Sequence, residues 1–319
     1  MMKPKVFVGR RIPQVGLDEL QAHCDVTVWP HDTPAPAEEL HAAVQSCEGF
    51  LSVPPDRVDD ALLDAAPRLK VVSNHAVGVD NIDLDACRRR GVAVGNTPDV
   101  LTDSTADVAW ALLLATAWRV PDANHYVRDG SWTGWSPTQY WGTDVSGTTL
   151  GIIGFGRIGQ AVACRARAFG MTILYHSRTP KPEAERELGA RPAELYELLH
   201  ASDFVSLNCA LTEETRGLMN EERLAQMKPG AILINTARGG VVDQPALVYA
   251  LQNGVIRGAG LDVFATEPVP LDDPILRLPN VVLMPHVGSA TERTRTKMSL
   301  LAAANLLAGL RGEPLPHAV

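Results

Sequence analysis

No stretch of this sequence is apolar for long enough to cross a bilayer. The longest apolar run, Val108 to Trp118, falls short of the roughly 20 residues a spanning helix needs and reads as a buried helix. Cysteine is scarce: the five copies, Cys24, Cys47, Cys87, Cys164 and Cys209, are odd in number, scattered and without a C-x-x-C pair. That excludes a disulfide framework and the usual zinc spacings, so no metal is expected and a reducing cytoplasm is the expected home. An excess of positive charge is also missing, with 29 Lys+Arg against 37 Asp+Glu and a net charge of −8. Nucleic acid and membrane surfaces are therefore not expected as partners. There is no low-complexity tract and no repeat with matched motifs, and Met1 to Val8 carries too few apolar residues before Arg10 and Arg11 for a signal-peptide core.

What remains is an ordinary globular composition, 45% hydrophobic and 21% charged over 319 residues, which rules out disorder and collagen. The length suggests two domains, each large enough to bury its own core. In the first hundred residues strand-like runs (Lys5 to Val8, Val26 to Trp29, Gly49 to Val53, Val71 to Asn74) alternate with helical patterns (Leu17 to Ala22, Ala37 to Val44). Such alternation predicts a parallel sheet with helices on its faces. An apolar helix over Ser104 to Trp118 follows, with Asp103 or Ser104 as its expected N-cap. A stronger alternation begins at Thr149 and runs through strands at 149–153, 172–176, 204–207, 231–235, 258–262 and 281–284. A last helix, 293–310, is expected to return to the first domain.

Gly154-Phe155-Gly156-Arg157-Ile158-Gly159 follows the apolar strand Leu150 to Ile153 and opens a helix. In that setting Gly154 makes the tight turn, Gly156 admits a pyrophosphate onto the helix N-terminus, and Gly159 lets helix and strand pack closely. A chance glycine turn is the alternative, and the strand and helix around it argue against that. About 20 positions on, such sites carry an acidic residue that binds the adenosine ribose. Here the chain reads His176-Ser177-Arg178-Thr179, with no carboxylate. Ser177 and Thr179 offer hydroxyls and Arg178 can pair with a 2′-phosphate, which favours NADP(H) and leaves NAD(H) open. The alternative for Arg178 is a solvated residue, or one stacked on adenine.

Three polar residues stand at or after strand ends, where ligands of open α/β sheets bind. They are Arg238 in Asn235-Thr236-Ala237-Arg238-Gly239, Glu267 in Thr266-Glu267-Pro268, and His286 in Pro285-His286-Val287-Gly288. Singly each has a structural explanation. Together they supply what carbonyl reduction needs: a cation for a carboxylate and a developing alkoxide, a proton donor, and an anion to tune the donor.

With Val77-Gly78-Val79-Asp80-Asn81-Ile82-Asp83 and Leu211-Thr212-Glu213-Glu214-Thr215, these motifs make the chain resemble the D-isomer-specific 2-hydroxyacid dehydrogenases along nearly its whole length. The resemblance implies two doubly wound parallel-sheet domains with the active site in the cleft between them. One is a discontinuous flavodoxin-like substrate domain, 1–100 with 288–319, and the other a Rossmann NAD(P)-binding domain, 101–287. It implies Arg238, Glu267 and His286 as the catalytic set, His286 acting as general acid in reduction and Glu267 favouring its charged form. Backbone N–H groups near Val77 and Gly78 would hold the substrate carboxylate. Asp262 is implied at the nicotinamide carboxamide, with Thr105 and Gly288 nearby. Arg157, Ile158 and Thr215 fall to the phosphates, and Cys209, Thr236 and Ala237 complete the cofactor set. Cys209-Ala210-Leu211 departs from the family's usual proline-containing turn, and Trp110 stands where a smaller residue is usual.

Within the family, Trp132 to Gly142 is similar to the loop of glyoxylate and hydroxypyruvate reductases, in which a tryptophan reaches into the partner's substrate pocket. Trp141 is the matching residue, unless these tryptophans only pack in an interface; a homodimer is expected either way. The implied reaction is NAD(P)H-dependent reduction of glyoxylate or hydroxypyruvate to the D-2-hydroxy acid. Alternatives are another D-2-hydroxyacid dehydrogenase, a phosphite dehydrogenase, disfavoured because Val77 stands where those carry lysine, and a non-catalytic dinucleotide-sensing corepressor-like protein.

Overall fold

Parallel pairing needs a long crossover between strands, and a helix after each strand supplies one. The computed structural model describes residues 2–319. The chain divides into two units, one running to Leu101 together with Ser289–Val319, the other Thr102–Gly288.

The first unit runs β1 (Lys5–Val8), α1 (Gln14–His23), β2 (Asp25–Val28), α2 (Ala37–Val44), β3 (Gly49–Ser52), α3 (Asp60–Ala65), β4 (Val71–Asn74), α4 (Leu84–Arg89) and β5 (Ala93–Gly95). Its five strands are all parallel in the order β2-β1-β3-β4-β5, the flavodoxin-like order. Every residue of β3 and β4 is buried, as befits central strands covered on both faces. Asp59 and Asp83 start α3 and α4, their carboxylates accepting from the N–H groups of Leu62 and Ala86.

The second unit continues with α5 (Thr102–Ala117), α6 (Val120–Arg128), β6 (Thr149–Ile153), α7 (Arg157–Ala168), β7 (Thr172–His176), α8 (Pro182–Leu188) and β8 (Ala190–Pro192). It goes on through α9 (Leu195–Ala201), β9 (Phe204–Leu207), α10 (Glu221–Ala225), β10 (Ile232–Asn235), α11 (Gln244–Gln252), β11 (Gly258–Leu261) and β12 (Val281–Leu283). The seven strands are parallel in the order β12-β11-β10-β9-β6-β7-β8, a Rossmann order extended by one strand. The order reverses between β6 and β9, which makes the carboxyl ends of those strands the switch point where ligands of such sheets bind. Two doubly wound parallel sheets are what the alternation of strand and helix predicts. The last helix, α12 (Glu292–Leu310), lies in the first unit, where it packs on α1, β3 and β4.

One local expectation fails. Asp103 and Ser104 do not cap α5, because the helix begins at Thr102 and holds both in its first turn. Asp103 there suits the positive end of the helix dipole. The structure also accounts for Trp110, which is 5% exposed, donates its indole N–H to the Val162 carbonyl (3.0 Å) and stacks on Phe169 with centroids 4.6 Å apart. It fastens α5 to α7, the helix that carries the glycine corner. Burial of so large a ring stabilises by roughly 2–3 kcal/mol.

Candidate active site

The corner between β6 and α7 is built around two glycines with opposite reasons. Gly154 has φ +92°, and a Cβ there would lie 2.5 Å from the Cys209 nitrogen and 2.7 Å from the Asn208 carbonyl oxygen, so no side chain fits where the β6 and β9 loops meet. A Cβ on Gly156 would meet nothing within 4 Å. Gly156 is also the N-cap of α7 and gives it no side-chain hydrogen bond. The corner in front of that helix is therefore open and uncapped, with the dipole behind it, which fits a diphosphate. Arg157 is exposed and Ile158 half-buried at this corner, while Gly159 packs against the Gly154 carbonyl.

At the end of β7, Ser177 is half-buried and Arg178 and Thr179 are exposed. Beyond β9, the Thr215 hydroxyl donates to the Ala210 carbonyl (2.6 Å) and accepts from the Thr212 N–H (2.8 Å), closing the turn that carries Cys209. Burial pushes the Cys209 thiol up, which keeps it un-ionised. Two buried polar atoms near these strand ends, Asn208 Oδ1 and Thr236 Oγ1, have no hydrogen-bond partner among the described residues. Buried polar groups are rarely left unpaired, so both are places for a bound ligand's donors or acceptors.

The loops after β10, β11 and β12 bring the three charged candidates into one region. Gly239 is pressed so closely on the next loop that a Cβ would lie 1.8 Å from the Phe264 carbonyl oxygen. Asn235 shapes the turn before it, accepting from the Ala237 N–H (3.0 Å) and donating to the Arg238 carbonyl (3.0 Å). Glu267 accepts from the Phe264 N–H through Oε1 (2.9 Å) and from His286 Nδ1 through Oε2 (2.7 Å). Burial alone would push the Glu267 carboxyl up, but the His286 imidazole, the Phe264 N–H and the Arg238 charge together hold it below its ordinary value. With the proton on Nδ1 directed to Glu267, Nε2 is left for a substrate, and the His286 side chain is 36% exposed.

His286 has φ +55°, a conformation that costs a non-glycine residue on the order of 1 kcal/mol or more. Asp262 imposes it. Its carbonyl accepts from the His286 N–H (2.8 Å), and its carboxylate, 1% exposed, accepts from the N–H groups of Val287 and Gly288 (2.8 Å each). Burial pushes the Asp262 carboxyl up, opposed by the Val287 N–H, the His286 charge and the Gly288 N–H. Thr105, 6% exposed, donates to the Gly288 carbonyl (3.1 Å) and so joins the same knot. The motif reading missed this bracing by Asp262 and the turn-shaping by Asn235; polar residues at the ends of wholly buried strands were the available signal. Val77 and Gly78 lie in the first unit, half-buried in the loop after β4. Trp141 lies in the second unit, 67% exposed, its indole N–H donating to the Pro137 carbonyl (3.0 Å).

Residues 110–288 match the family model described as D-isomer specific 2-hydroxyacid dehydrogenase, NAD binding domain. The chain is also 52% identical to a glyoxylate reductase of Thermococcus kodakarensis, over 100% of this chain and 96% of that protein. The chain belongs to the D-isomer-specific 2-hydroxyacid dehydrogenases. To the human glyoxylate reductase/hydroxypyruvate reductase this dehydrogenase is 49% identical, over 98% of its own length and 96% of the relative's. Its fold matches the NADPH-dependent glyoxylate/hydroxypyruvate reductase of Sinorhizobium meliloti, solved in complex with NADP and malonate, with a TM-score of 0.88 at 36% identity, covering 99% of this chain and 97% of that one. The cofactor of this dehydrogenase is thus a nicotinamide dinucleotide. No helix among the described residues is long and apolar enough to cross a membrane.

Proposed function

We propose that this dehydrogenase reduces glyoxylate or hydroxypyruvate to the 2-hydroxy acid, of D configuration where the product is chiral, with NADPH preferred over NADH. The observation that carries the reading is the His286 to Glu267 hydrogen bond of 2.7 Å on loops adjoining Arg238, in a chain 52% identical along its length to a glyoxylate reductase. Arg238 binds the carboxylate of the 2-oxo acid and draws electron density toward the carbonyl oxygen. His286 delivers the Nε2 proton to that oxygen as the carbonyl carbon becomes a C–H centre, and Glu267 stabilises the charged imidazole that precedes the transfer. The bound nicotinamide supplies the hydride. Asp262, with Thr105 and Gly288, shapes the pocket floor for the carboxamide, and Thr236, Ala237 and Cys209 line the approach. The N–H groups of α7 at Arg157 and Ile158 take the diphosphate, with Thr215 on its far side.

The cofactor preference rests on Ser177, Arg178 and Thr179, where a carboxylate would reject a 2′-phosphate. Glu214 tempers it: the Thr212 hydroxyl is the main cause that holds its carboxyl low, but the Arg178 charge contributes, so the two residues share a field. A moderate preference follows. A homodimer in the cytoplasm completes the reading. Trp118, Trp132, Trp135 and Trp141 are 57%, 54%, 84% and 67% exposed within one short segment, more apolar surface than a monomer usually leaves uncovered. Trp141, its carbonyl held by Arg257, is the residue proposed to enter the partner's pocket.

Loss of absorbance at the reduced nicotinamide band, followed in parallel with NADPH and NADH against glyoxylate, hydroxypyruvate and pyruvate, tests the assignment. The expected result is faster oxidation of NADPH than of NADH, with glyoxylate or hydroxypyruvate ahead of pyruvate. No oxidation with any of the three acids, under conditions where NADPH binds, overturns it.

A further inference from the structure

The first unit contains a buried network of asparagines behind the loop that follows β4. Asn74, the wholly buried last residue of β4, donates from Nδ2 to the Gly78 carbonyl (2.8 Å) and to Asn81 Oδ1 (3.0 Å), and its Oδ1 accepts from the Ser52 hydroxyl (3.0 Å). Asn81 is tied down in turn, donating to the Asp56 carbonyl (2.9 Å). Asn96, just past β5, donates from Nδ2 to the Val77 carbonyl (2.8 Å), and the Thr97 N–H donates to the Ala76 carbonyl (2.9 Å). Asn96 is itself clamped: its carbonyl accepts from Asn305 Nδ2 on α12 (2.8 Å), and its N–H donates to the His317 carbonyl (3.1 Å). Asn305, wholly buried, accepts in addition from the His317 N–H (2.9 Å).

Three successive carbonyls, those of Ala76, Val77 and Gly78, are therefore all taken up by donors of the same unit. In a planar trans peptide the N–H points opposite to the C=O. Each pinned carbonyl thus turns the following N–H, of Val77, Gly78 or Val79, away from its anchor. None of these three N–H groups donates to a protein acceptor among the described residues. A run of oriented, unengaged N–H groups is a ready receptor for an anionic oxygen.

We propose that Asn74 and Asn96 are positioning residues that preset this loop as the cradle for the substrate's carboxylate, with Asn305 locking Asn96 from behind. The proposal rests on the 2-oxo acid reading above and says which residues of the first unit give it carboxylate specificity. Neither asparagine touches the substrate. They act by denying the loop the peptide orientation in which a carbonyl would face, and repel, a carboxylate.

The test compares glyoxylate with methylglyoxal, a 2-oxo aldehyde without a carboxylate, as substrates of the full-length parent and of Asn96→Ala with NADPH. Hydrogen bonds to a charged group contribute enough that misaligning the cradle should raise KM for glyoxylate about 10- to 100-fold. Because the carboxylate is bound equally in ground and transition states, kcat should change far less. kcat/KM for methylglyoxal should stay at the parent's value. Asn96→Ser, which keeps a hydroxyl donor, should recover part of the loss. Equal losses for both substrates would reduce Asn96 to a general structural role, and an unchanged KM for glyoxylate would overturn the proposal while leaving the reductase reading intact. A parent that does not favour glyoxylate over methylglyoxal removes that reading and the proposal with it. Should Asn96→Ala fail to fold, Asn305→Ser reads the same contrast one bond further back, with a smaller rise in KM expected and a parent-like KM again overturning the proposal.

Discussion

Both units put a loop and a helix after a buried parallel strand, yet α3 and α4 of the first start differently from α7 of the second. α3 and α4 begin on Asp59 and Asp83, whose carboxylates occupy the N–H groups of Leu62 and Ala86. α7 begins on Gly156 and leaves its first N–H groups unoccupied by any cap side chain. The first unit compensates elsewhere, in a loop whose carbonyls are tied inward by Asn74 and Asn96. An anion receptor can thus be made from a helix end or from a loop held by side chains. Only the former requires glycine and announces itself by a spaced motif.

The largest effect that would sharpen this contrast lies in the second unit, which alone carries Arg238, Glu267 and His286. His286→Asn removes the proton donor and leaves the glycine corner untouched, so steady-state reduction of glyoxylate should fall about 1,000-fold. NADPH affinity, followed by fluorescence titration, should stay at the parent's level. Undiminished turnover would take His286 out of the chemistry. A second change gives α7 the kind of start that α3 and α4 have. Gly156→Asp adds a capping carboxylate at a position with φ −78° and room for a Cβ, so the melting temperature should not fall. The same carboxylate occupies the N–H groups and repels the diphosphate, and the dissociation constant for NADPH should rise about 100-fold. Tight NADPH binding by Gly156→Asp would show that α7 is not the phosphate site.

The second unit's contrast was legible in advance and much of the first unit's was not. Gly154 and Gly156 could be read because their constraints are local: a turn of φ +92° and an open approach leave glycine as the fitting residue. Strands such as Phe204–Leu207 and Ile232–Asn235 were equally plain, because a strand covered on both faces is apolar throughout or nearly so. Several short or exposed elements were not legible. β5 and β8 have three residues each, and α6 buries none, so neither carries a period of apolar residues to detect. The Asn74, Asn96 and Asn305 network was invisible for a different reason. Its members are scattered along the chain and chemically ordinary, and only folding places each side chain on a particular carbonyl. The expected cap at Asp103 or Ser104 failed because a polar residue inside the first turn looks, in sequence, much like one just before it.

Buried carboxylates extend the comparison to stability. Asp262 in the second unit and Asp56 in the first are 1% and 2% exposed. The Asp262 carboxylate accepts from two backbone N–H groups, whereas Asp56 accepts from one, that of Val53 (3.0 Å). Burial pushes the Asp56 carboxyl up to about 6, against the opposing pull of the Val53 N–H and the Arg10 charge. The folded chain therefore holds this proton at a pH where the unfolded chain has released it. The contribution of Asp56 is full below its unfolded pKa of 3.8 and is lost as pH rises toward about 6. At about 1.4 kcal/mol per unit, ionising Asp56 costs on the order of 3 kcal/mol by neutral pH. Asp56→Asn keeps an acceptor for Val53 and removes the charge. Its urea midpoint should exceed the parent's at pH 7.5, with the gain shrinking toward pH 4.5. The variant must be compared with the parent at each pH, because the His75 imidazole, pushed down to about 4 by burial and by the Arg295 charge, works in the opposite sense. It leaves the fold less stable as pH falls from 6.5 toward 4, so the parent's own profile mixes both groups and the difference between the two proteins isolates Asp56. An equal gain at pH 7.5 and pH 4.5 would mean that the substitution acts through packing and that the buried carboxyl carries no such cost.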